Sequence, residues 1–170
     1  MNEKRALEEL SHKVWEERRI VTYLLFKLTV AKLLLASDER RFVADALAEV
    51  DKTVEMLRSW EDRRDEALRD LADVWRVDPA TLSLPELARR SPPPFDYTFS
   101  EHLQAFQQLA EEIDEVTEQN RTLAGTSYAE VTQTIEMMTG PPPETTTTTY
   151  DAYGQLGASE LVGRRLREAL

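Results

Sequence analysis

The sequence predicts an all-α protein: an elongated antiparallel coiled-coil bundle of three long helices plus a short connector helix, followed by a mobile C-terminal tail. Three observations predict it. Apolar residues recur at three-four spacing along two long successive stretches, and glycine occurs only five times in 170 residues rich in Leu, Ala, Glu and Arg. The third is the run from Gly140 to Gly154, GPPPETTTTTYDAYG, where that pattern stops. Prolines 141, 142 and 143 lack amide donors and push the preceding residues towards extended backbone, so no helix continues through them. The threonines that follow are weak helix formers with no apolar stripe. The expected division is a helical body over residues 1–138, a flexible Pro/Thr-rich divider over 139–157, and an amphipathic C-terminal segment over 158–170.

The first helix carries Leu7, Leu10, Val14, Glu17, Val21, Leu24, Leu28, Ala31 and Leu35 at strict three-four spacing, with Glu17 alone interrupting the apolar seam. A 3.5-residue repeat keeps one stripe against a partner helix with left-handed supercoiling. Phe26, Leu33 and Leu34 form a flanking apolar row, which predicts contact with a second neighbour. Ser37 and Asp38 are good N-caps at which the pattern restarts. The second helix then carries Val43, Leu47, Val50, Val54, Leu57, Glu61, Arg64, Leu68, Leu71 and Trp75. A short connection makes the two helices an antiparallel hairpin. Folding back about Ser37 sets Lys13 near Glu61 and Leu10 near Arg64, so the polar seam positions could pair across the hairpin and fix one register.

Asp78-Pro79 ends the second helix. Ser83-Leu-Pro-Glu86 reads as a capping box with proline in the first turn. The prolines at 92, 93 and 94 stop the connector after about two turns. The last long helix spans roughly Asp96 to Met138, with Phe99, Leu103, Phe106, Leu109, Ile113, Val116, Leu123, Val131, Ile135 and Met138 at helical spacing. Asn120 falls on that stripe. Gly125 interrupts it, costing up to about 1 kcal/mol and marking a kink or a close helix contact. In the tail, burying Leu161, Val162, Leu166 and Leu170 offers roughly 2 kcal/mol each. Ordering about twelve backbones costs roughly 1 to 2 kcal/mol apiece, so the segment orders only by docking, on its own body or on another protein.

Composition narrows the function. With no cysteine, disulfides, thiolate catalysis and Cys-type zinc sites are excluded. The charged N-terminus lacks the apolar core of a signal peptide, and no apolar run reaches membrane-spanning length, so a cytoplasmic protein without membrane insertion is expected. A net charge of −11 argues against nucleic acid as a partner. The charge is uneven: residues 1–37 carry seven Lys/Arg against five Asp/Glu, and residues 95–138 nine Asp/Glu against Arg121 alone. That acidic helix face is either simply solvated or a guide for a basic partner. Glu9-x-x-His12 has di-iron spacing but lacks a second Glu-x-x-His, since Phe99 stands three residues before His102. With no phosphate loop, nucleophile elbow or distinguishable acid–base pair, the expectation is a non-enzyme with no cofactor and no metal.

The chain resembles the FlgN-type flagellar export chaperones. The likeness rests on ASDERRFVADALAEVDKTVEMLRSWEDRR with its Trp60, Glu61 and Arg64 ending, on Thr81-Leu-Ser-Leu-Pro-Glu-Leu87, on Asn120-x-x-Leu123, and on Thr149-Tyr-Asp-Ala-Tyr-Gly154. Where the family commonly has a second asparagine near Asn120, this chain has Leu123 and Ala124. The resemblance implies a cytoplasmic chaperone of the flagellar type III export system, which holds the hook–filament junction proteins (FlgK/FlgL type) export-competent and delivers them to the cytoplasmic domain of the export gate. It implies that the C-terminal part binds substrate, for which Tyr128, Val131, Ile135 and Met138, with Leu161, Val162 and Leu166, are the candidate surface. By motif position Tyr150, and next Tyr153, are the candidate gate contacts. The reading from another class is a homodimeric structural coiled-coil adaptor with the acidic helix as its dimer face.

Overall fold

The computed structural model describes residues 2–37 and 39–139, with side chains as far as Gly125. Helix α1 runs Glu3–Ala36, α2 Val43–Trp75, α3 Leu84–Arg90 and α4 Phe95–Thr139. Short 3-10 turns at Arg40–Phe42 and Pro79–Thr81 precede α2 and α3. No strand occurs among the described residues. At about 1.5 Å per residue the long helices span roughly 50 to 70 Å, so the body is a rod.

Each helix end has a local cause. Asn2 caps α1 by accepting from the Arg5 amide at 2.9 Å, satisfying one of the donors that every helix start leaves free. At the other end Ser37 serves α1, not α2: its amide donates to the Leu33 carbonyl at 3.0 Å, and its hydroxyl reaches Leu34. The second helix starts only after the Arg40–Phe42 turn, with Phe42 at its N-cap and no side-chain cap. Arg76 closes α2 in the left-handed region, φ 55°, a conformation that costs a non-glycine residue about 1 kcal/mol or more. The Val77 amide repays part of that by bonding the Ala72 carbonyl at 3.0 Å. The Ser83 side chain makes no cap bond on α3, and Glu86 pairs with Arg89 instead. The expected capping box is therefore not formed, and Pro85 in the first turn favours the helix start instead.

The topology is set by α1, which packs against both α2 and α4. Lys27 meets Glu49, Glu17 meets Arg64, and Glu3 accepts from the Trp75 indole, so α1 and α2 are antiparallel. Arg18 meets His102, Lys32 meets Gln119, and Leu28 meets Asn120, so α4 runs parallel to α1. All the seam positions of α1 from Leu7 to Ala31 are buried. All of them but Glu17 and Ala31 enter one core with Val50, Val54, Leu57 and Leu71 of α2, Leu87 of α3, and Phe99, Phe106, Ile113 and Val116 of α4. Each such side chain contributes about 2 kcal/mol on burial. α3 crosses the far end, against α4, and its Leu84 and Leu87 line a cleft of about 260 Å³ with Leu10, Val14, Arg64 and Leu68.

Two expectations change. The fold-back neighbours stay close, with Leu10 and Arg64 lining one cleft and Lys13 beside Trp60, but the polar pairing is different from the one expected. Arg64 pairs with Glu17, and Lys13 lies over the Trp60 ring, 5.7 Å from its centre. Helix α4 passes through Gly125 unbroken, and a Cβ there would meet nothing within 4 Å. The glycine marks no close approach of a neighbouring helix.

Candidate helix-docking surface

Two buried polar groups hold the helices in register. Glu17 is 1% exposed and its Oε1 accepts from Arg64 at 2.8 Å. Burial raises its pKa to about 7 despite Arg64, with Glu61 and Asp65 adding to the rise. Arg64 is shared with Asp65 at 2.9 Å and keeps a quarter of its side chain in contact with solvent, which spares the pair the full desolvation penalty of a buried salt bridge. Asn120, fully buried, donates from Nδ2 to the Leu28 carbonyl at 3.0 Å. It ties α4 to α1 at one residue.

That register carries α4 past the end of α1. From Leu28, α1 has about two turns left before Ala36; from Asn120, α4 has about five before Thr139. Some three turns, roughly 16 Å, therefore continue past the end of α1. Tyr128, Val131, Ile135 and Met138 lie in these turns, where the backbone alone is described. Leu161, Val162, Leu166, Tyr150 and Tyr153 fall outside the described residues, as do the divider from residue 140 onward and the C-terminal segment.

The other open surface belongs to α1. Its buried seam serves α2 and α4 together, and among the described residues no helix packs on the opposite side. Phe26 is 56% and Leu33 59% exposed, with Trp15 and Tyr23 at 45% and 42%. The flanking row of Phe26 and Leu33 was expected to meet the second neighbour; instead α4 docks beside the main seam, through Arg18, Leu28 and Lys32. Leu34 alone of that row is half-buried. Two cations lie on the exposed rings: Arg19 over Trp15 at 4.9 Å and Lys27 over Tyr23 at 4.9 Å. A shallow hollow of about 390 Å³ opens among Trp15, Arg18, Arg19, Thr22, Tyr23 and Phe26. Periodicity alone did not find this surface, because a repeat identifies apolar rows without saying which row is covered.

The histidines hold no metal-like arrangement. His12 is exposed and stacks on Trp15. His102 is buried, its pKa lowered by burial and then by Arg18. Among the described residues no group of three or more His, Asp or Glu side chains converges as metal ligands, and none of the helices is long and apolar enough to cross a membrane.

A bundle held by interhelical packing, with one helix continuing past it and an apolar face left open, has the features of a protein that binds other helices. Comparison with known families decides which kind. The model of the FlgN protein family matches residues 1–158. The chain belongs to the FlgN family. FlgN proteins are flagellar export chaperones, and the match covers the body, the divider and the Thr149 to Gly154 motif. No curated protein and no solved structure gives a significant match.

Proposed function

We propose that this FlgN-family protein is a cytoplasmic chaperone of type III export that binds the hook–filament junction proteins, of FlgK/FlgL type, through its C-terminal region. It keeps them export-competent and delivers them to the cytoplasmic domain of the flagellar export gate. The observation that carries this reading is the part of α4 that continues past the end of α1, in a chain that belongs to an export-chaperone family. Substrate proteins with amphipathic helical ends would self-associate, and an apolar helical surface masks such ends by coiled-coil or helix-in-groove contact. Tyr128, Val131, Ile135 and Met138, with Leu161, Val162 and Leu166 of the 158–170 segment, form that surface. The 139–157 divider gives the segment reach, and Tyr150, then Tyr153, present the gate contact. The protein works by binding alone and needs no cofactor.

Truncation after Gly140 tests this. Co-purification with the junction proteins is expected to be lost while the helical circular dichroism of the body is kept. Retained binding would overturn the assignment of substrate to the C-terminal region.

A further inference from the structure

We propose that the α1–α4 interface carries an acid-sensitive latch, in which protonation of His102 against the Arg18 guanidinium frees α4 from α1 while the α1–α2 hairpin stays closed. His102 is 3% exposed and sits on the buried side of α4, with Phe99 three residues before it and Phe106 four after, themselves 0% and 2% exposed. An imidazole in those surroundings has little water with which to solvate a charge.

The group that meets it across the interface is a cation. Nη1 of Arg18 lies 3.5 Å from Nδ1 of His102. A guanidinium carries five N–H donors and no acceptor. The contact therefore requires Nδ1 to be an acceptor and the ring to be neutral, with its proton on Nε2. Protonation turns Nδ1 into a donor as well. Donor then faces donor and cation faces cation, at a site that cannot hydrate the added charge.

The other charges around the ring do not offset this. Glu101, the preceding residue on α4, favours the charged ring but acts less strongly than burial and Arg18. It is exposed and accepts from the Tyr97 hydroxyl at 3.0 Å. On α3, which also packs on α4, Glu86 and Arg89 pair with each other and Arg90 lies over Trp75. On α1, Glu16 pairs with Arg19, and Glu17 is turned to Arg64 of α2. The ring's pKa is accordingly held below the ordinary 6.5, by burial first and then by Arg18. The stability it gives is present above 6.5 and is lost on acidification, and the loss falls on the contact between α1 and α4.

Glu17, next to Arg18 in the chain, responds in the opposite sense. It enters the α1–α2 contact as a buried carboxyl with its pKa raised to about 7, so acid there removes a buried charge instead of creating one. Two adjacent residues thus give acid opposite effects on the two sides of α1: α4 loosens and α2 stays. Since α4 bears part of the proposed substrate surface, the latch sets how firmly that helix is held; this consequence rests on the substrate assignment above, whereas the latch does not.

Hydrogen exchange of the full-length chain at pH 7.5 and pH 5.5, corrected for the intrinsic pH dependence of exchange, tests the latch. Protection of α4 between Phe99 and Asn120, relative to that of α2, is expected to fall several-fold at the lower pH. His102→Gln stays neutral at both pH values and keeps an oxygen that can accept from Arg18, so it is expected to remove the fall. Arg18→Glu, which sets a carboxylate beside the ring, is expected to reverse it. The chain holds only two histidines, so with His12→Asn to assign them the imidazole proton resonances report on His102 directly. Its resonance is expected to titrate below 6.5 and to move upward in Arg18→Gln. An unchanged ratio of α4 to α2 protection, a fall retained in His102→Gln, or a His102 resonance titrating above 6.5 overturns the latch. No substrate is present in these measurements, so failure of the latch and failure of the C-terminal assignment are told apart.

Discussion

Glu17 stands where a seam residue is ordinarily apolar, and its second oxygen, Oε2, is buried without a partner. Folding raises its pKa from 4.5 to about 7, so near pH 6 the folded chain holds a proton that the unfolded chain has released. The stability it contributes is complete below pH 4.5 and is lost as pH rises through 7. A shift of that size corresponds to about 3 kcal/mol. Glu17→Gln is accordingly expected to abolish most of the fall in urea midpoint between pH 5 and 7.5. An unchanged slope would show that Arg64 keeps the carboxylate ionised throughout. His102 acts in the opposite sense, its lowered pKa giving stability that is present above the ordinary 6.5 and lost on acidification. Its effect is common to both proteins and cancels in the comparison. The interruption at Glu17 was legible in the sequence, but its partner was not. Spacing locates a polar seam residue, whereas its partner depends on how far a long side chain such as Arg64 reaches across the hairpin, which no repeat announces.

At the scale of the helix, α4 owes its position on α1 to Asn120. The amide spends one hydrogen bond on Leu28 and leaves Oδ1 unpartnered at full burial. Asn120→Leu removes that bond, worth about 1 kcal/mol, but also removes a stranded carbonyl and adds apolar contact. The midpoint of unfolding is expected to hold or rise by up to about 1 kcal/mol, while hydrogen exchange along α4 quickens because the helix can slide, as happens when a single seam asparagine is lost from a coiled coil. Slower exchange would show that Asn120 specifies nothing. The existence and order of the four helices, and the stops near proline, were legible from period and proline because those signals are local; the start of α2 was not, since Ser37 caps α1 and α2 begins at Val43. The fate of Phe26 and Leu33 was not: coverage of a row depends on how many neighbours α1 has and where they sit, and the packing of α4 through Asn120 decides that.

For the whole molecule, the rod and the C-terminal region have separate tasks in the proposed function, and a single substitution should separate them. Tyr150→Ala is expected to weaken the loaded chaperone's pull-down of the gate's cytoplasmic domain several-fold while leaving capture of junction proteins unchanged. Equal retention of both interactions would remove the tyrosine assignment. These candidate residues came from family resemblance and motif position, not from periodicity, since a Pro/Thr-rich stretch carries no repeat from which to read a contact. The body could be read because its chemistry is repetitive.

The central place of α1 has a bearing on how the chain reaches its fold. The α1–α2 hairpin closes through neighbours in sequence and can form once Trp75 has been made. Docking of α4 must instead bring together Leu28 and Asn120, which are 92 residues apart, and long loops close slowly and late. During synthesis α1 therefore waits with one flank uncovered until the last helix arrives. In the folded chain the same flank, less extensively packed than the hairpin, is expected to open before it. The helix carrying the proposed substrate surface is thus the one that can loosen from the rod while the hairpin stays intact.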